Sequence, residues 1–239
     1  MPVFRLPHDI RFPPPQLARE DGLLAVGGDL STERLLLAYR MGIFPWFSEE
    51  DPLLWWSPDP RLVLFPEDLK VSRRLARLVR SGKFTVTMDT AFAAVITACA
   101  NTRLEKDEPT WIDERMIAAY IRLHRQGYAH SVEAWQNGRL AGGLYGIGLG
   151  NCFFGESMFT RVSNASKAAF VNLVRWLRHR GFELIDCQVS TAHLKRLGAV
   201  EIPRSRFLAL LERALKSSDR RGRWRFDTQE EGEEDNRDR

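Results

Sequence analysis

The chain has 239 residues, 44% of them hydrophobic, and a formal charge of +4. That is enough apolar material for one large domain or two modest ones, and it excludes a wholly disordered chain. No run approaches the ~18 apolar residues of a membrane helix, the opening MPVFRLPHDIRFPPPQ lacks a signal peptide's layout, and Cys99, Cys152 and Cys187 have no metal-like spacing, so a cytoplasmic protein with reduced thiols, no metal and no membrane contact is expected.

Charge is unevenly placed. From Lys216 onward there are seven basic and eight acidic residues, which leaves +5 on residues 1–215. A moderately basic body is shared by proteins that bind polyanions and by ordinary solvated surfaces. The end, EEGEEDNRDR, is acidic and polar enough to predict disorder, so residues 216–239 are set apart as a charged tail.

The first 66 residues are rich in Pro and Trp (FPPPQ, GIFPWF, LLWWSPDP) around one helical piece, Thr32 to Met41, and predict a small, loop-heavy domain. Leu69 to Arg80 reads as a helix ended by Gly82. Phe84 to Met88 alternates like a strand, and Asp89 is expected to cap an apolar helix, Thr90 to Ala100, before a polar loop, NTRLEKDEPT. Asp113 to Gln126 is a helix closed by Gly127, Ala129 to Trp135 a strand, and Asn137-Gly138 a two-residue hairpin turn, because both positions tolerate positive φ. The strands LAGGLYGIGLG and NCFFGESMF follow, with glycines that suggest bulges or close backbone approach. A helix from Ala165 to Arg180, a strand containing Asp186, and helices after Ser190 and Arg204 complete the order β, α, α, β, β, β, α, β, α, α. There is no internal repeat.

Three places carry polar groups that need explaining. In LIDCQ, residues 184 to 188, alternation puts Leu184, Asp186 and Gln188 on one face and Cys187 on the other. Asp186 and Gln188 therefore form a hydrogen-bonded structural pair or do chemistry, while Cys187 is a small buried filler. Glu156 lies among Phe153, Phe154, Met158 and Phe159, either turned to solvent at a bulge or buried, where it needs a raised pKa or a cationic partner. Arg73, Arg77 and Arg80 share a helix face, which suits a phosphate backbone as well as solvent. Tryptophans at loop positions, Trp46, Trp55, Trp56 and Trp111, serve core packing or stack on unpaired bases. The glycines of LAGGLYGIGLG match neither a dinucleotide loop nor a P-loop.

Taken together and in order, GGDLS (27–31), GIFPWFS (42–48), LWWSPDPR (54–61), TWI (110–112), GESMF (155–159), NASK (164–167) and LIDCQ (184–188) resemble the leucyl/phenylalanyl-tRNA–protein transferase family from about Phe12 to Leu215. The resemblance implies an α+β fold, a small N-terminal domain followed by a GNAT acetyltransferase-like domain, here residues 67–215 with the basic helix 69–80. It implies transfer of leucine or phenylalanine from aminoacyl-tRNA to proteins or peptides with N-terminal Arg or Lys, which marks them for degradation in the N-degron pathway, with no cofactor. Residue by residue, it makes Asp186 the group that orients and polarises Gln188, whose oxygen accepts from the attacking amine, and makes Glu156 an ordering group. Trp46 and Trp111 would hold the 3′ adenosine, and Arg73, Arg77 and Arg80 the tRNA backbone. The pocket for the transferred side chain would comprise Leu144, Phe153, Met158, Phe170, Leu173 and Leu177. The family can have Met at 144 and Phe at 173 and 177, so the Leu-to-Phe preference stays open.

Two other classes compete. An acyl-CoA-dependent N-acetyltransferase would need a glycine-containing pyrophosphate loop where this chain has Arg161-Val162-Ser163-Asn164-Ala165-Ser166. A non-catalytic RNA-binding module accounts for the arginines and tryptophans and leaves Glu156, Asp186 and Gln188 without a purpose.

Overall fold

The computed structural model describes residues 3–48, 50–104 and 111–226. Short Pro-punctuated segments at the start form β1 (Phe4–Leu6), β2 (Leu23–Gly27), β3 (Phe44–Pro45) and β4 (Leu54–Trp56), a small sheet in the order β1-β2-β4-β3. Between β2 and β3 runs α1 (Thr32–Arg40), whose N-cap Ser31 accepts from the Arg34 amide. Trp55, fully buried, donates its indole N–H to the Gly27 carbonyl at 2.8 Å and so fixes the small sheet's centre.

The rest of the chain builds one seven-stranded mixed sheet from β5 (Arg61–Leu64), β6 (Thr85–Met88), β7 (Ala129–Gln136), β8 (Arg139–Leu149), β9 (Cys152–Thr160), β10 (Leu184–Gln188) and β11 (Val200–Ile202), in the order β11-β5-β10-β9-β8-β7-β6. On one face lie α3 (Phe92–Leu104), α4 (Glu114–Arg125) and α7 (Arg204–Ala214), whose apolar side chains share a continuous core with the small sheet and α1. The other face carries α2 (Arg73–Arg80) and α5 (Ala165–His179), and α6 (Ala192–Arg196) follows β10. The expected order from β6 onward is found, with the short β11 added between the last two helices. Asp113 caps α4 by accepting from Met116 N at 2.8 Å, and Asn137 and Gly138 both have positive φ at the β7–β8 turn.

Four local expectations differ. β5 belongs to the large sheet, so the small domain's expected boundary at 66 falls after a strand already paired with β10 and β11. The basic helix begins at Arg73 because Ser72 caps it, accepting from Leu75 N, while Lys70 N is drawn off to the Leu197 carbonyl. Asp89 does not cap α3. It has φ 53° and its carboxylate accepts from Ser131 N (2.8 Å) and Trp224 N (2.7 Å) and binds His130 Nδ1 (2.9 Å), while Glu133 receives the Ala91 amide and the Thr90 hydroxyl at the helix entrance. Finally, residues 216–226 pack on the sheet: Trp224 is buried, Arg220 lies over Phe182 and Arg221 over Tyr128. Trp224 is the strap's buried aromatic anchor, the half-buried Phe226 packs on the same core, and the two guanidinium groups lie over rings of the main body. The acidic end beyond 226, residues 105–110 of the polar loop, and Thr110 of TWI lie outside the described residues.

Candidate active site

β9 and β10 run parallel and pair only as far as Phe154 and Asp186. Beyond that point β9 shifts register against β8: Tyr145 faces Ser157 and Gly146 faces Gly155, which leaves Glu156 as the extra residue of a bulge. β10 ends at the same level, with Gln188 at φ 60°. The strands thus part where both carry polar side chains. Gln188 Nε2 donates to Glu156 Oε1 across the gap at 2.9 Å.

Glu156 is only 8% exposed. Besides Gln188 it accepts from Tyr39 (2.8 Å, from α1) and Tyr120 (3.1 Å, from α4), and the two tyrosine hydroxyls also touch each other. Burial raises the Glu156 pKa to about 7 against the opposing pull of its three donors. Tyr39, Tyr120 and the neighbouring Tyr145 all have pKa values raised well above the ordinary phenol range by burial and by Glu156.

Asp186 is fully buried and forks onto Arg61, with Nε at 2.8 Å and Nη2 at 2.7 Å. Arg61 is itself sandwiched between the rings of Phe44 and Phe207, at 4.8 and 4.6 Å. Asp186 Oδ1 also accepts the Gln188 backbone N–H at 2.9 Å. Asp186 therefore holds the Gln188 backbone, and the Gln188 side-chain amide is engaged by Glu156; the expected direct polarisation of that amide by Asp186 is replaced by this two-part arrangement. Cys187 points to the opposite face, with its thiol pKa pushed up by burial.

Trp46, 42% exposed, meets Trp111 edge to face with centroids 6.2 Å apart, and Trp56 supports it by donating to the Trp46 carbonyl. Leu144, Phe153, Phe170, Leu173 and Leu177 are buried and Met158 is half-buried, all in the core under α5, on the face opposite the tyrosines.

Arg73, Arg77 and Arg80 are all on α2, the basic helix of the sequence expectation. A groove of about 930 Å³ beside that helix is lined by Arg77 and by Lys70, Arg74, Lys83, Lys167 and Arg196, and among the described residues none of its walls is acidic; Arg73 and Arg80 flank it without lining it. His193 also faces the groove, and burial with the nearby Lys167 and Arg196 lowers its pKa. Helical spacing alone found the stripe, but it missed Lys167 and Arg196, which come from α5 and α6. It also missed Tyr39, Tyr120 and Arg61. Only Arg61 had any signal, a charge beginning the apolar run RLVL.

Two sheets, a core shared between them, and a polar bulge facing a parted strand define an α+β protein in which a small N-terminal sheet precedes a larger domain built on a seven-stranded one. The chain belongs to the leucyl/phenylalanyl-tRNA protein transferase family, which it matches over residues 63–212, with the family's N-terminal domain over residues 28–59. It is 64% identical over 211 residues to a leucyl/phenylalanyl-tRNA–protein transferase of Syntrophobacter fumaroxidans, covering 88% of this chain and 90% of that one. It is 59% identical to that of an Anaeromyxobacter species (strain Fw109-5), covering 95% and 97%. Among solved structures, an aminoglycoside acetyltransferase from an uncultured soil metagenomic sample is similar at 17% identity and TM-score 0.36, covering 46% of this chain and 81% of that one.

Proposed function

We propose that this chain is a leucyl/phenylalanyl-tRNA–protein transferase that moves leucine or phenylalanine from its tRNA to the α-amino group of a protein beginning with Arg or Lys, tagging that protein for degradation. Family membership across nearly the whole length is the observation that carries the reading. An aminoacyl ester is already activated, so the chain has to supply orientation and a path for a proton. The acceptor amine attacks the ester carbonyl, a C–N bond forms, the ester C–O bond breaks, and the proton lost by the amine goes to the departing ribose oxygen, directly or through the neighbouring 2′-hydroxyl.

The hydrogen bonds around Gln188 support its role. Its Nε2 is committed to Glu156, which leaves Oε1 as the acceptor for the attacking amine. Asp186 and Arg61 fix the backbone that carries it. The transferred side chain enters the α5 side toward Phe153 and Leu177, the 3′ adenosine lies against Trp46 and Trp111, and the phosphates follow the groove of Lys70, Arg74 and Arg77, with Arg73 and Arg80 alongside. Glu156, next to the gap, orders the amine and matches a cationic N-terminus once it is ionised. We assign residues 1–60 to the small domain and the rest, through the strap, to the catalytic one.

The test uses purified protein, labelled leucyl-tRNA and an Arg-initiated peptide, with acetyl-CoA as a competing donor. Label is expected on the peptide from leucyl-tRNA. Label from acetyl-CoA alone would overturn the reading.

A further inference from the structure

The glycines of β8 are seats for rings. A Cβ on Gly146 would stand 2.5 Å from the Phe153 ring, and one on Gly148 would stand 2.7 Å from the Trp224 indole. Those two rings lie side by side on the α5 face, with centroids 6.0 Å apart. Phe153 is one of the walls proposed for the transferred side chain, whereas Trp224 belongs to the strap.

Trp224 is held from every direction. Its indole stacks on His130 at 3.6 Å and 7°, lies 4.7 Å from Trp176 and meets Phe182 at 5.7 Å. Its amide donates to Asp89 at 2.7 Å and its Nε1 to the Arg220 carbonyl at 2.9 Å, while Trp176 Nε1 donates to the Arg225 carbonyl at 3.0 Å. The strap is pinned upstream, where Gly222 N meets the Gly127 carbonyl and Arg221 binds the Gln126 carbonyl. A ring so fixed leaves Phe153 no room to retreat.

We infer that Trp224 is a positioning residue for donor selection, acting through Phe153. Resting on the pocket reading above, this makes the strap the backstop of the compartment that measures the transferred side chain. A smaller residue at 224 opens space behind Phe153, the ring moves back, and the compartment deepens toward the larger of the two side chains. Size discrimination in apolar pockets is worth ~1–3 kcal/mol per methylene, so a modest retreat is readable as a change in preference.

The experiment measures kcat/KM for leucyl-tRNA and phenylalanyl-tRNA with one Arg-initiated peptide, for the wild type, Trp224→Leu, Trp224→Phe and Phe153→Leu. The readout is the ratio of the two donors, which is unaffected by how much of a variant is folded. Trp224→Leu is expected to raise the phenylalanine-to-leucine ratio about threefold or more, with a smaller change in the same direction for Trp224→Phe. If Phe153→Leu moves the ratio and both Trp224 variants leave it at the wild-type value, the inference is overturned and the pocket stands. If neither position moves it, the pocket assignment falls and the inference with it.

Discussion

Gln188 reaches across the gap between two parting parallel strands and gives its amide proton to Glu156, a carboxylate whose other partners are two buried tyrosines. That single contact joins the two polar positions that stood out in GESMF and LIDCQ. It also decides which end of the Gln188 amide is left to act.

Glu156 should impose a pH dependence. In the native state it keeps its proton up to about pH 7, whereas an unfolded glutamate releases it near 4.5. Between those values the native state binds more protons, so this group's contribution to stability is full below the lower value and is lost as pH rises through the upper one. Urea unfolding followed across this range should show Glu156→Gln with a flatter stability profile than the wild type. Parallel profiles would place the titration elsewhere.

Tyr39 and Tyr120 act on the same titration. Each hydroxyl donates to Glu156 and favours its charged form. Tyr39→Phe removes one donor and should move the Glu156 pKa further up, which pH–rate profiles of the transfer reaction would record as an alkaline shift of the limb that Glu156→Gln abolishes.

Arg61 and Asp186 form a dry ion pair, and removing one partner leaves the other charged and alone. Arg61→Met or Asp186→Ala should each cost about 3–5 kcal/mol of stability. The double variant Arg61→Met/Asp186→Leu should recover most of this in chemical denaturation, yet remain without turnover, because the Gln188 amide loses its carboxylate anchor. tRNA affinity should survive in the double variant. Equal loss of binding and turnover would make the pair purely structural.

The basic groove gives a graded expectation. Neutralising Arg74 and Arg77 to Gln should weaken tRNA binding and flatten its salt dependence, by about 0.7–0.9 in log–log slope for each phosphate that is no longer neutralised. Arg73→Gln and Arg80→Gln, outside the groove walls, should do less. Binding isotherms at several salt concentrations separate the two pairs.

Local signals carried much of this architecture. Asp113 announced α4, Asn137-Gly138 the β7–β8 turn, and the period of two placed Asp186 and Gln188 on one face, because caps, turns and alternation depend on residues within a few positions of one another. The family resemblance, resting on several short motifs in order, supplied the fold class and the chemistry. The strap escaped notice because its charges looked like a tail and its buried ring, Trp224, has partners at His130, Trp176 and Phe182, none of them nearby in sequence.

By itself, the sequence determined which side chains would be awkward to bury: Glu156, Asp186 and Gln188. Only the tertiary structure decided what relieves each of them. Arg61 comes from 125 positions away to meet Asp186, and Tyr39 from 117 positions away to meet Glu156. A strand's periodicity states which face a polar group occupies, but the partner that offsets its desolvation is chosen by how the sheets and helices close around it.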